Sequence, residues 1–105
     1  MSHEGYTNFE TWSIALILDN DRELCTTWRG YAVQIKVEAA NIPQVFEGIW
    51  TPEQGAIFTV ADTLKDQFEN QAEDLDLAPP FGDLLSAALS AVNWQEVAEG
   101  LLEEI

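Results

Sequence analysis

The stretch RELCTTWRGYAVQIKVEAA, residues 22–40, decides the fold class because it reads two ways. Leu24, Trp28, Tyr31, Ile35 and Ala39 recur at spacings of three and four, which puts them on one face of a helix. Val33, Ile35 and Val37 also alternate with Gln34, Lys36 and Glu38, the period of a half-buried strand. Gly30 weakens a helix by about 1 kcal/mol relative to Ala. The helical reading is preferred, and a short strand near 33–37 is the alternative.

The flanking segments weigh for helix. Thr7 with Glu10 has the spacing of a capping box, in which each side chain bonds the other residue's amide. The same spacing recurs at Asn20 with Glu23, at Thr51 with Gln54, and at Asn93 with Glu96. Pro52 after Thr51 suits a first helical position. A first helix is expected over about 8–19, with Phe9, Trp12, Ala15 and Leu16 on one face and Tyr6 packed on its first turn. Ile14, Ile17 and Leu18 widen that face, so burial on more than one side is expected.

NIPQVFEGIW, 41–50, reads as an irregular piece held to the core by Val45, Phe46, Ile49 and Trp50. The longest helix is expected over 52–77, with Ile57, Val60, Ala61, Leu64, Phe68, Ala72 and Leu75 inward. APPFG, 78–82, ends it, because proline cannot continue a helix. A further helix follows with Leu84, Leu85, Ala88, Leu89 and Val92 inward. A last one over 94–104 buries Trp94, Val97, Ala98, Leu101 and Leu102. The expectation is an all-α, compact single-domain bundle of four or five helices spanning 1–105.

Charge is the outlying property: 19 Asp and Glu stand against 4 Lys and Arg, a formal net charge of −15. Such a surface repels phosphate, which argues against direct binding of nucleic acid or of an anionic membrane. At 47% apolar residues the chain still has enough to bury, which argues against disorder. Cys25 is the single cysteine, so no internal disulfide and no thiolate metal cage can form. The longest apolar run, IALIL, is far too short to span a bilayer, and MSHEGY has no signal-peptide pattern. These features lead to a cytoplasmic expectation.

The strongest polar pattern lies on the long helix. Asp62, Asp66, Glu69, Glu73 and Asp76 are spaced four, three, four and three apart. On a helix they fall within about 80° of one another and form a row about 21 Å long, with a carboxylate every ~5 Å. Like charges at this spacing repel by a few tenths of a kcal/mol, and only Lys65 is near enough to relieve them. A solvated face of an acidic protein explains the row. So does a docking surface for Lys and Arg of a partner, since the spacing resembles that of phosphates along a nucleic-acid strand. Glu96, Glu99, Glu103 and Glu104 form a second acidic patch.

Other chemistry finds little support. DNDREL, 19–24, has oxygen ligands at alternate positions, but an EF-hand loop needs Gly where Leu24 stands and Glu where Gly30 stands. His3 is the single histidine, so no zinc site is built. Ser13, Ser86, Ser90 and Cys25 have no other histidine to act as base. No catalytic residue, metal or cofactor is expected. Trp12, Trp28, Trp50 and Trp94 read mainly as core fillers, with Trp50 and Phe46 as candidate aromatic anchors of an interface.

The two ends carry a resemblance. YTNFETWSIALILDND resembles the opening of small acidic proteins of phage, plasmid and bacterial genomes that begin Tyr-x-Asn-aromatic-Glu-Thr-Trp. DLLSAALSAVNWQEVAEGLLEE resembles their closing segment, with Asn or Asp before Trp and an acidic residue. Together the stretches cover about a third of the chain. The resemblance implies the company of mobile elements and brings no catalytic residue to carry over.

The functional expectation is a non-enzymatic binding protein whose acidic surface engages a basic protein. With the mobile-element resemblance, the concrete form is an anti-defence inhibitor that occupies a nucleic-acid-binding groove on a host protein. The alternative is a helical adaptor or homodimer that binds through an apolar patch, with affinity nearly indifferent to salt.

Overall fold

The computed structural model describes residues 5–103, which places His3 and Glu104 outside the description. Six helices follow in order: α1 (Phe9–Asn20), α2 (Arg22–Glu38), α3 (Pro43–Phe46), α4 (Pro52–Asp74), α5 (Phe81–Ala91) and α6 (Trp94–Glu103). A 3₁₀ turn, Ala39–Asn41, joins α2 to α3, and α3 is itself a single turn. Five helices are therefore longer than one turn, and the all-α bundle stands. There is no β-strand among the described residues.

The ambiguous stretch is helical throughout, and the strand alternative at 33–37 is wrong. Trp28, Ala32 and Ala39 are buried, and Leu24, Tyr31 and Ile35 are half-buried beside them, so the 3.6-residue period wins. Val33 and Val37 lie outside, at 41% and 79% exposure. The Tyr31 hydroxyl sits 2.9 Å from Thr63 Oγ1, which itself donates to the Thr59 carbonyl at 3.0 Å. Tyr31 therefore donates to Thr63 and ties α2 to α4.

Two caps sit one residue later than expected. Asn8, not Thr7, caps α1: its Oδ1 accepts from the Thr11 amide at 2.9 Å and from the Thr11 hydroxyl at 2.6 Å. An amide side chain can also donate, and Asn8 Nδ2 reaches the Ala91 carbonyl at 2.7 Å. In asparagine the acceptor and the donor are separate atoms, so one side chain reaches both α1 and the end of α5. Glu10, released from the expected box, has a buried Oε2 without a hydrogen-bond partner among the described residues. Asp21, not Asn20, caps α2, accepting from the Leu24 amide at 3.0 Å. It is the one residue between α1 and α2, and a carboxylate suits a helix N-terminus better than an amide. The Thr51–Gln54 box forms as expected.

The core is built where α4 and α6 pack together, with α2 against both and α1 against α2 and α6. Leu18, Trp28, Val60, Leu64, Val97 and Leu101 are among its buried members. The face of α1 turned inward is centred on Thr11 and Leu18, with Ile14 and Ala15 half-buried. Phe9, Leu16 and Ile17 are exposed, so this helix is buried on one side only. Gly55 lets the α3 turn lie directly on α4, because a Cβ there would overlap Val45 Cγ2. Ile42, Val45 and Trp50 hold that segment down, whereas Phe46 and Ile49 point out.

Beyond Phe68, α4 runs past the core. All buried residues of α4 lie between Gly55 and Leu64, and α5 has no buried residue. The helix ends at Asp74, with Leu75 as C-cap, earlier than the expected 77. α5 folds back on α4 and touches α1, and the molecule extends 44 × 30 × 26 Å. Leu85 and Leu89 of α5 are half-buried and Val92 is buried, but Leu84 and Ala88 face outward, against expectation. α6 buries the expected face, and Phe68 and Trp94 rings meet at 5.6 Å.

Candidate binding surface

The acidic row forms along α4 as far as the helix goes. Asp62, Asp66 and Glu73 are exposed and Glu69 is half-buried. The face that carries them is covered in the first two turns of α4, where Gly55 meets Val45 and Phe58 meets Trp50, and becomes acidic once that cover ends. The helical part of the row, 62 to 73, is about 16 Å long. Asp76 does not continue it by helical periodicity. It lies beyond the C-cap with φ of 48°, a left-handed conformation that Asp tolerates better than most residues.

Asp76 nonetheless stays close to the row. With Glu69 and Glu73 it borders a groove of about 400 Å³ between α4 and α5, to which α5 contributes Asp83, Ser86 and Ser90. Asp62 lies apart, lining with Lys65 a shallow groove near the start of α6. Asp66 lines neither. Lys65 forms no ion pair with any described carboxylate, and between described residues one ion pair is seen, Arg29 with Asp19 at 3.6 Å. The row is thus not neutralised from within the described chain.

The second patch divides. Glu96 is occupied by the fold: its carboxylate accepts from the Thr7 amide at 2.8 Å, from the Thr7 hydroxyl, and from Asn93 Nδ2 at 3.2 Å. Glu99 and Glu103 are exposed and line a cleft of about 780 Å³ with Glu53, Lys36 and an apolar floor including Ile57 and Leu102. Glu104 belongs to the residues outside the description. Of the candidate anchors, Phe46 is exposed at 83%, while Trp50 is half-buried and stacks edge-on against Phe58 at 4.9 Å.

Besides Phe9, Leu16 and Ile17 of α1, four more apolar residues are exposed that were not expected at the surface. Leu75, Leu77, Phe81 and Leu84 are 62%, 44%, 64% and 64% exposed, all at the tip of the α4–α5 hairpin. Asp76 and Asp83, also exposed, stand between them in the chain, and exposed Asp74 directly precedes Leu75. The usable signal in the sequence is the width of the apolar arc on α5, too broad for a helix that packs on one side. Among the described residues no group of three His, Cys, Asp or Glu is placed to hold a metal ion. No described helix is long and apolar enough to cross a membrane. No protein-family model, curated protein or solved structure matches the chain.

Proposed function

We propose that this protein is a non-enzymatic, cytoplasmic binding protein whose acidic α4 face engages a basic surface of a protein partner. The observation that carries the reading is the uncompensated row Asp62, Asp66, Glu69 and Glu73, backed by a formal charge of −15. Carboxylates every ~5 Å along a rigid helix are spaced to meet Lys and Arg that otherwise track a phosphate backbone. The concrete form is an inhibitor carried by a mobile element, occupying a nucleic-acid groove of a host defence protein. Association is then fast, electrostatically steered and weakened by salt. Capture of host proteins at low and high salt supplies the partner, and Asp66→Lys, Glu69→Lys, Glu73→Lys together reduce its binding strongly. Retention of full affinity by that triple variant reduces the row to a solvated face.

The adaptor reading draws on a different observation, the exposed Leu75, Phe81 and Leu84. It requires affinity that is nearly independent of salt and of the three carboxylates.

A further inference from the structure

The tip of the α4–α5 hairpin combines two properties that are unusual together. Four large apolar side chains, Leu75, Leu77, Phe81 and Leu84, are each more than two-fifths exposed within ten residues of chain. Three exposed carboxylates, Asp74, Asp76 and Asp83, alternate with them. The tip is a built feature: the Leu77 carbonyl lies where a Cβ on Gly82 would come within 2.6 Å, so the connecting loop sits tightly on the first turn of α5. On α5, Phe81, Leu84 and Ala88 fall within about 60° of one another, with Asp83 about 100° from Leu84 on the same exposed arc, whereas Gly82, Leu85 and Leu89 are half-buried. Large exposed apolar residues gathered in one short segment mark an interaction site more often than singly scattered ones do.

Charge selects the occupant. A second copy in a two-fold arrangement sets the same acidic patch against itself, which adds carboxylates and supplies no cation to meet Asp74, Asp76 and Asp83. An anionic membrane or nucleic acid meets the same repulsion. A surface with an apolar ridge flanked by Lys and Arg satisfies both properties, and an amphipathic helix presents such a ridge at three- and four-residue spacing. The long stems of Lys and Arg add apolar contact while their heads reach the carboxylates.

We infer that the α4–α5 tip is the docking site for a basic amphipathic helix of a partner protein, with Phe81, Leu84 and Leu75 under its apolar ridge and Asp74, Asp76 and Asp83 beside its cations. The inference rests on the proposed basic partner and adds that recognition has an apolar half, which a pure imitation of nucleic acid lacks.

The probe is a synthetic helix of about 14 residues, roughly the span of α5 with an extra turn, with Leu along one face and Lys along the other. Its control carries Ser for every Leu at the same charge. Titration at about 0.1 M NaCl is expected to show the Leu peptide binding about tenfold more tightly than the Ser peptide. Phe81→Ser with Leu84→Ser removes that preference, and Val37→Ser, at another exposed apolar residue, leaves it intact. All three changes are at the surface, and far-ultraviolet circular dichroism verifies the fold. Equal binding of both peptides overturns the inference while leaving the acidic-surface reading in place. No binding of either peptide counts against both. A preference that survives Phe81→Ser with Leu84→Ser overturns the assignment of the site. Sedimentation showing a dimer of the parent chain and a monomer of that variant gives the tip to a second copy, which also overturns it.

Discussion

The Oγ1 of Thr11 accepts the backbone N–H of Asn93 at 2.8 Å, and Thr11 has no solvent exposure. This one bond joins the first helix to the N-cap of the last, 82 residues away in the chain. It lies within a small network. Thr11 donates to Asn8 Oδ1, Asn8 donates to the Ala91 carbonyl, and Glu96 closes over Thr7. The Tyr-x-Asn-aromatic-Glu-Thr-Trp opening and the Asn-Trp-x-Glu segment therefore meet in space and complete each other's caps. Their pairing in one sequence has a physical cause in folding, independent of any site.

Thr11→Val keeps the shape of the side chain and deletes the hydroxyl. The Asn93 amide then loses its acceptor at a partly buried contact, and Asn8 loses a donor. An unsatisfied buried group costs about 1–3 kcal/mol. Urea unfolding is expected to show a loss of that size for Thr11→Val and a smaller one, about 1 kcal/mol, for Thr11→Ser, which lacks only a methyl group. Little loss for Thr11→Val beside a larger loss for Thr11→Ser would mean that packing, not the hydrogen bond, sets the cost.

Glu96→Ala removes the acceptor of the Thr7 amide and of its hydroxyl, yet leaves Asn93 to cap α6 through the residue 96 amide. The expected result is local. Hydrogen exchange at the Thr7 amide rises well before global unfolding, because this contact lies at the exposed edge of the network. Amides in the middle of α4 and α6 keep their protection apart from a uniform shift.

Periodicity told which residues share a face, and that sufficed where a helix is flanked by the core. The stripe Leu24, Trp28, Tyr31, Ile35 and Ala39 on α2 and the face Trp94, Val97, Ala98, Leu101 on α6 were legible for that reason. It did not tell which face turns inward when apolar residues cover most of the circumference, as on α1 and α5. The inward side of α1 was fixed by Thr11 and Leu18, not by Phe9, because the Asn93 bond pulls Thr11 in. Leu84 and Ala88 lie outside because α5 packs on a part of α4 that has already left the core. Caps slipped by one residue where two capping side chains are adjacent, since the choice between Thr7 and Asn8 depends on a carbonyl at Ala91. The acidic row was legible over α4 and misread only at Asp76, past the end of the helix.

Two of the four helical glycines, Gly30 and Gly55, test local packing against backbone propensity. Gly30 is exposed, and a methyl group added there meets nothing within 4 Å, so Gly30→Ala is expected to stabilise by about 0.5–1 kcal/mol. Gly55→Ala has the same backbone gain but drives a methyl into Val45 Cγ2, on a β-branched side chain with little rotamer freedom. Overpacking of this kind costs about 1–3 kcal/mol, which outweighs the gain. Thermal unfolding of the two variants should therefore shift in opposite directions.

Salt acts on folding as well as on binding. Self-repulsion among the carboxylates opposes the compact state, and shortening the screening length relieves it. The surface ion pair between Arg29 and Asp19 works the other way, but an exposed pair contributes only about 0–1 kcal/mol and is itself partly screened. Repulsion at a charge of −15 is the larger of the two. Raising NaCl from about 0.01 M to about 0.1 M contracts the Debye length from about 30 Å to about 10 Å, and the urea midpoint is expected to rise. Glu69→Gln with Glu73→Gln removes one close like-charge pair of the row, worth a few tenths of a kcal/mol, so this variant should be more stable at low salt and gain less from added salt. A midpoint that falls with salt in the parent chain would place the dominant electrostatics in attractive contacts and remove the basis for an uncompensated acidic face.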